Sequence, residues 1–188
     1  MIHFSETLPR DFEADRHLIG AIFGLVFIQV NAAALPPAAG IPLRVLAIAA
    51  FLRLFITLRR ARTATSDDAT PPRTFGRGYL VVVAAEVLAA ATGLFVINRV
   101  LHVPNASVGW LALVVGLHFF GLAAVWAMPR LHWLAAAMTT CGATGLALAA
   151  YDAPTAAIAT VAGITPGALL LTSVWRNLTP AGKTPQNA

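Results

Sequence analysis

Charged residues are scarce in this 188-residue chain: Asp, Glu, Lys and Arg make up 11% of it, and hydrophobic residues make up 58%. A soluble domain carries about 25% charged residues, so the composition argues against a soluble enzyme and against a disordered protein. Lysine is almost absent, because Lys183 is the only one and the other twelve basic residues are arginines. The composition therefore indicates an integral membrane protein.

Cysteine and the familiar catalytic patterns are also missing or nearly so. Cys141 is the only cysteine, so a disulfide within the chain is excluded. It lies in an apolar segment. The sequence contains no G-x-S-x-G, H-E-x-x-H, Walker or C-x-x-C pattern. We therefore expect no catalytic residues, no metal site and no cofactor, and we favour a function that is not enzymatic.

The net charge of +5 would suggest nucleic-acid binding in a soluble protein. Here the basic residues lie between apolar runs, so we expect them to bind anionic lipid headgroups and not nucleic acid. The richness in alanine and the preference for arginine over lysine suggest a bacterial source. The expected location is therefore the bacterial inner (plasma) membrane.

Six apolar runs are long enough, at about 17 residues or more, to cross a bilayer as helices. They lie near 18–35, 41–58, 79–101, 107–128, 131–150 and 154–175. We therefore predict an all-α membrane protein, a bundle of six transmembrane helices over 18–175. The tails are then 1–17 and 176–188, and the one long loop is 59–78.

The basic residues outside the cores of these runs are distributed unevenly between the two sides. If the helices alternate in direction, ten lie on one side: Arg10, Arg16, Arg59, Arg60, Arg62, Arg73, Arg77, Arg130, Arg176 and Lys183. Only Arg99 lies on the other side. Because cytoplasmic loops are enriched in Lys and Arg, we predict that both termini and the 59–78 loop are cytoplasmic. Every Trp and Tyr falls at the end of a predicted span, where these residues are usually found.

Three charged residues lie inside the predicted spans, where each costs about 2.5–3.5 kcal/mol on insertion scales. Arg53 and Glu86 lie at matching depth, about 9–10 Å from the cytoplasmic boundary at a rise of about 1.5 Å per residue. This match predicts an Arg53–Glu86 ion pair between the second and third spans. Arg44 lies nearer the outer end, where it and Arg99 are either interface anchors or a pair that contacts an anion.

His118 lies near the middle of the fourth predicted span. Together with Glu86 and Arg53 it forms our candidate intramembrane polar site, because ionisable residues within membrane helices often mark substrate or proton pathways. The alternatives are a purely structural salt bridge at Glu86 and a neutral His118 bonded to a neighbouring helix.

Two further patterns concern the shape and the contacts of the helices. Thr165, Pro166 and Gly167 predict a kink or a local unwinding in the sixth helix, because proline lacks a backbone donor and glycine adds freedom. Gly20 and Gly24, spaced as G-x-x-x-G, predict either a close helix contact or a homo-oligomer face.

Two stretches, GLVFIQVNAAALP and VGLHFFGLA, resemble segments of small, uncharacterised bacterial six-span integral membrane proteins. The resemblance implies a multi-span fold and carries no activity or site with it.

Two classes of function fit these observations. The first is a small transporter or channel-like protein, in which Glu86, Arg53 and His118 converge in one cavity. The second is a structural, sensory or accessory subunit that binds a partner protein or lipid, for which we expect a tightly packed bundle without a cavity. Neither hypothesis identifies a substrate.

Overall fold

The computed structural model of this chain describes the backbone of residues 10–63 and 76–178, and the side chains of 18–60 and 76–176. These residues are helical apart from short turns, and no strand occurs among them. Most of the predicted 59–78 loop and the outer parts of both predicted tails lie outside the described residues.

Each of the six predicted apolar runs is helical. The helices are α1 (Arg10–Asn31), α2 (Pro37–Thr63), α3 (Arg77–Phe95), α4 (Ala106–Val125), α5 (Arg130–Ala150), α6 (Thr155–Ala159) and α7 (Thr165–Leu178). A 3-10 turn, Ala32–Ala34, follows α1, and a π turn, Val96–Val100, extends α3. A second π turn, Thr160–Ile164, joins α6 directly to α7, so the three segments form one rod.

Among the described residues, five helical stretches are long and apolar enough to cross a membrane. They are Pro37–Arg60, Arg77–Val100, Ala106–Val125, Arg130–Ala150 and Thr155–Arg176. The apolar part of α1, Leu18–Ala34, is shorter than these five. The chain is therefore an all-helical, multi-pass membrane protein by the length and composition of its helices.

The helices do not pack in the order of the sequence. α4 and α5 form the most extensive contact, α1 packs on α7 and α2, and α5 packs on the α6–α7 rod. α3 packs on α4, and its stretch is the least buried of the five. Consecutive helices α2 and α3 thus have different main neighbours.

Glycine residues make the contact between α4 and α5 close. A Cβ atom on Gly109 would lie 2.7 Å from the backbone nitrogen of Leu146, and one on Gly142 would overlap the backbone of Leu113. Lipid tails are as apolar as the helix surfaces, so packing in a membrane depends on such close approach between small residues. The α4–α5 pair is therefore held mainly by backbone-to-backbone proximity.

The Gly20/Gly24 surface of α1 packs within the chain. A Cβ atom on Gly24 would lie 2.8 Å from the carbonyl oxygen of Gly167 in α7, and one on Gly20 would lie 3.5 Å from Val174. Of the two predicted roles for this surface, the structure has the close helix contact. α7 covers Gly24 closely, and the homo-oligomer stays a prediction.

The α6–α7 rod, which corresponds to the sixth predicted span, is irregular immediately before the predicted kink, but it stays helical. The π turn Thr160–Ile164 ends immediately before Thr165 and Pro166, and the Thr165 hydroxyl donates to the carbonyl of Thr160 at 2.9 Å. Proline has no N–H and its ring clashes with the carbonyl four residues earlier, so a wider turn relieves the conflict. The irregularity is a π turn and not an unwound segment.

We predict that Gly142→Ala lowers the stability of the protein by about 1–3 kcal/mol, because the added methyl group forces α5 away from the α4 backbone. Thermal unfolding in detergent measures the effect. Gly76→Ala is the matched control, since a Cβ atom on Gly76 meets nothing within 4 Å. Equal melting temperatures for the two variants would contradict the close α4–α5 contact.

Candidate functional site: a cavity beside Glu86 and His118

Glu86 on α3 and His118 on α4 form the main polar contact between these helices. Nδ1 of His118 lies 3.1 Å from Oε2 of Glu86, and the exposed fractions of the two side chains are 10% and 19%, respectively. The contact is close but not aligned as a hydrogen bond, because Nδ1 has no partner with hydrogen-bond geometry.

Contacts at other levels fix the register of α3 against α4. The Trp110 indole packs on Gly93, and its Nε1–H donates to the carbonyl oxygen of Ala89 at 3.2 Å. Near the opposite end, the rings of Tyr79 and Trp126 stack with centroids 6.1 Å apart. Glu86 and His118 lie between these two contacts, so the antiparallel register places them face to face.

Gly121 brings the two helices close together beside the polar contact. A Cβ atom there would lie 2.9 Å from Cγ1 of Val82. On α3, Gly93 provides space for the side chain of Trp110. Small residues on both helices therefore allow the Glu86–His118 contact.

A cavity of about 210 Å³ lies beside this pair. Residues of α1, α3, α4, α5 and α7 and of the turn before α5 line it, and most of them are apolar. The lining residues that carry a polar side-chain atom are Tyr79, Glu86, His118, Trp126 and Ser173. No arginine or lysine lines it within the described part of the chain, so Glu86 supplies the charge of this site.

Arg53 lies away from this cavity. Its guanidinium carbon lies 4.7 Å from the centroid of the Trp175 ring, a cation–π contact between α2 and α7. The predicted Arg53–Glu86 ion pair is not formed among the described residues, because α2 packs on α1 and α7 whereas α3 packs on α4. The structure thus brings together two of the three candidate site residues.

Arg44 and Arg99 lie on helices that form no extensive contact with each other. The Arg44 carbonyl accepts a hydrogen bond from Gln29 at 2.9 Å, and its Nε is buried without a hydrogen-bond partner. Arg99 is exposed in the π turn that extends α3. The two arginines therefore lie on helices with different main neighbours, and an outer anion contact that uses both stays a prediction.

The aromatic part of the cavity is not apparent from the sequence. Phe23, Tyr79, Phe119 and Trp126 line it, and they come from three different helices. For Tyr79 and Trp126 the sequence predicts only a position at the membrane interface. Nothing in the spacing of these residues along the chain shows that their rings meet.

Within the described residues, no group of three or more His, Cys, Asp or Glu is arranged to hold a metal ion. No protein-family model, curated protein or solved structure matches this chain significantly. What the fold and the site define is a class: a multi-pass helical membrane protein with a largely apolar internal cavity and one carboxylate–imidazole pair.

We predict that Trp110→Phe lowers the stability by about 0.6–1.7 kcal/mol, the range measured for hydrogen bonds between membrane helices. The substitution keeps an aromatic ring on Gly93 but removes the donor to the Ala89 carbonyl. Trp133→Phe is the matched control, because Trp133 is 83% exposed. The prediction is wrong if both variants unfold at the wild-type temperature in detergent.

Proposed function

We propose that the chain is a small transporter of the bacterial plasma membrane, with six transmembrane helices and both termini in the cytoplasm. The apolar part of α1, Leu18–Ala34, has 17 residues and is about 25 Å long, near the lower limit for a span, and we propose that it crosses the membrane with the other five. The ten-to-one distribution of basic residues supports the orientation.

The arginines of the predicted cytoplasmic surface support the same orientation. Arg59, Arg60, Arg77, Arg130 and Arg176 are all exposed. Juxtamembrane basic residues are attracted to the anionic lipids of the cytoplasmic leaflet by about 1 kcal/mol each. We propose those headgroups as the partners of this surface.

A pair of cysteine substitutions tests the orientation. Tyr151 and Trp133 are 86% and 83% exposed and belong to opposite ends of α5. In a Cys141→Ala background, we expect Tyr151→Cys to react with a membrane-impermeant maleimide in intact spheroplasts. Trp133→Cys should react only after the membrane is permeabilised. The reverse pattern would contradict cytoplasmic termini.

The observation that carries the transport proposal is the contact between Glu86 and His118 inside the cavity. Two such groups can hold one proton between them, either as a carboxylate beside an imidazolium or as a neutral pair. A cation that binds the Glu86 carboxylate takes the place of that proton. This exchange is the chemistry by which a proton gradient drives transport of a second species.

A second candidate function is that of an accessory subunit, and the exposed face of α3 favours it. Leu80, Val81, Val87 and Leu88 are each more than half exposed. These side chains fit lipid tails as well as a partner helix, because both are apolar. The cavity favours transport over this alternative, since a purely structural subunit has no need of an internal carboxylate.

The transport proposal is tested by proton flux and counter-transport in proteoliposomes that are screened with a panel of organic and inorganic cations. We expect Glu86→Gln to reduce coupled flux by about tenfold or more, because the amide is isosteric with the carboxylate but cannot carry its charge or proton. Asp152→Asn makes the same chemical change at an exposed residue outside the cavity and should leave flux unchanged.

His118→Ala should also uncouple the movement of protons from that of the transported cation. If the wild-type protein moves a substrate and both the Glu86 and His118 variants move it equally well, the pair has no role in transport. If no cation moves with wild-type protein, the accessory-subunit function replaces this proposal.

A further inference from the structure

The cavity lies in a gap between α1 and α3. Ile19, Gly20 and Phe23 line it from α1, and Tyr79, Val83 and Glu86 line it from α3. Over the described residues these two helices form no extensive contact, because α1 packs on α7 and α2 whereas α3 packs on α4. Both helices therefore line the cavity without packing extensively on each other.

The rim of this gap is apolar and exposed. Ile19 and Phe23 both line the cavity, yet they are 43% and 49% exposed. A residue that faces an internal cavity and the outside of the protein at once lies at an opening. Ile19 lies at the start of the first predicted span, near the cytoplasmic boundary, and Phe23 lies about one turn deeper. At the depth of Phe23, an opening between two apolar helix faces leads into lipid.

The inner end of the gap is suited to a positive charge. Within the described residues, Glu86 is the one carboxylate of the lining, and no arginine or lysine belongs to it. Four aromatic residues also line the space: Phe23, Tyr79, Phe119 and Trp126. Aromatic faces attract organic ammonium groups, and the attraction grows when the cation is desolvated. A carboxylate repels an anion from the same place.

The size of the cavity limits the polar part of the ligand. A volume of about 210 Å³ equals about seven water molecules at roughly 30 Å³ each. That is less than the pockets of about 300–1,000 Å³ that hold drug-sized ligands. The cavity therefore takes a compact headgroup, and a longer apolar part must extend out through the gap.

We propose that the gap between α1 and α3 is a lateral opening that admits an amphiphilic organic cation from the lipid bilayer. The ammonium group pairs with the Glu86 carboxylate among the aromatic rings, and the alkyl chain lies between α1 and α3 beside Ile19 and Val83. This inference rests on the proposed transport function for its biological role, and it adds the class of substrate and the route of access.

The test measures binding of radiolabelled dodecyltrimethylammonium to the protein in lipid nanodiscs, with empty nanodiscs subtracted. Dodecanoate and dodecanol, which share the chain length, separate charge recognition from partition into lipid. We expect the ammonium to bind at least about tenfold more tightly than either, and Glu86→Gln to remove that preference. Equal binding of all three, or an unchanged preference in Glu86→Gln, would overturn the assigned headgroup site.

The route of access is tested at two isoleucines of the same helix. Ile19 and Ile22 are each 43% exposed, but Ile19 lines the cavity whereas Ile22 does not. Ile19→Trp should fill the gap and lower the affinity for dodecyltrimethylammonium about tenfold or more, because the indole takes the place of the ligand's alkyl chain. Ile22→Trp should bind as the wild type does.

A second matched pair repeats the comparison on the other side of the gap. Val83→Trp should block binding, and Val87→Trp, on the exposed face of the same helix, should not. Thermal unfolding of each variant separates blockage from misfolding. If both members of each pair bind equally, the gap is not the route of access.

The two proposals fail in different ways. If the ammonium binds in nanodiscs but no cation of the panel crosses proteoliposomes, the binding site stands and the transport proposal is wrong. If another cation is transported while the amphiphile does not bind, transport stands and this inference is wrong.

Discussion

A carboxylate inside a membrane helix needs a polar partner, because the hydrocarbon around it cannot replace the water it has lost. Glu86 has this partner in His118 of α4. The pairing commits α3 to α4 at a defined register, which the Trp110–Gly93 and Tyr79–Trp126 contacts reinforce. Because α3 packs on α4, a space remains between α3 and α1, and the cavity lies in that space. One polar contact thus sets both the position of an edge helix and the shape of the site.

The remaining helices meet through small residues. α4 approaches α5 at Gly109 and Gly142, and α1 approaches α7 at Gly24 and Gly167. In a membrane there is little hydrophobic gain when helices associate, so dispersion contacts at short backbone separation must supply the attraction. Glycine pairs hold the centre of this fold, whereas side-chain contacts hold α3 at its edge.

The sequence predicts the position of a residue along its helix, but it does not predict the lateral neighbours of that helix. A count of residues at 1.5 Å each places Glu86 and Arg53 at equal depth, and that placement depends only on helix geometry. It does not reveal which helices touch. The 59–78 segment is long, so its length does not require α2 and α3 to pack on each other. Arg53 consequently meets Trp175, whereas Glu86 meets His118. The helical irregularity before Pro166 was predictable for the same reason as depth, because its cause is local to one helix.

The same distinction explains why the cavity itself could not be predicted. Its lining comes from α1, α3, α4, α5 and α7, and no single helix carries a pattern that specifies an empty space. The space exists because α3 packs mainly on α4, where Glu86 and His118 are in contact without the geometry of an aligned hydrogen bond.

In the proposed transport cycle, a cation at Glu86 competes with His118 for the carboxylate and so weakens one of the contacts that hold α3. Ligand binding and the width of the α1–α3 gap would then be coupled through a single side chain.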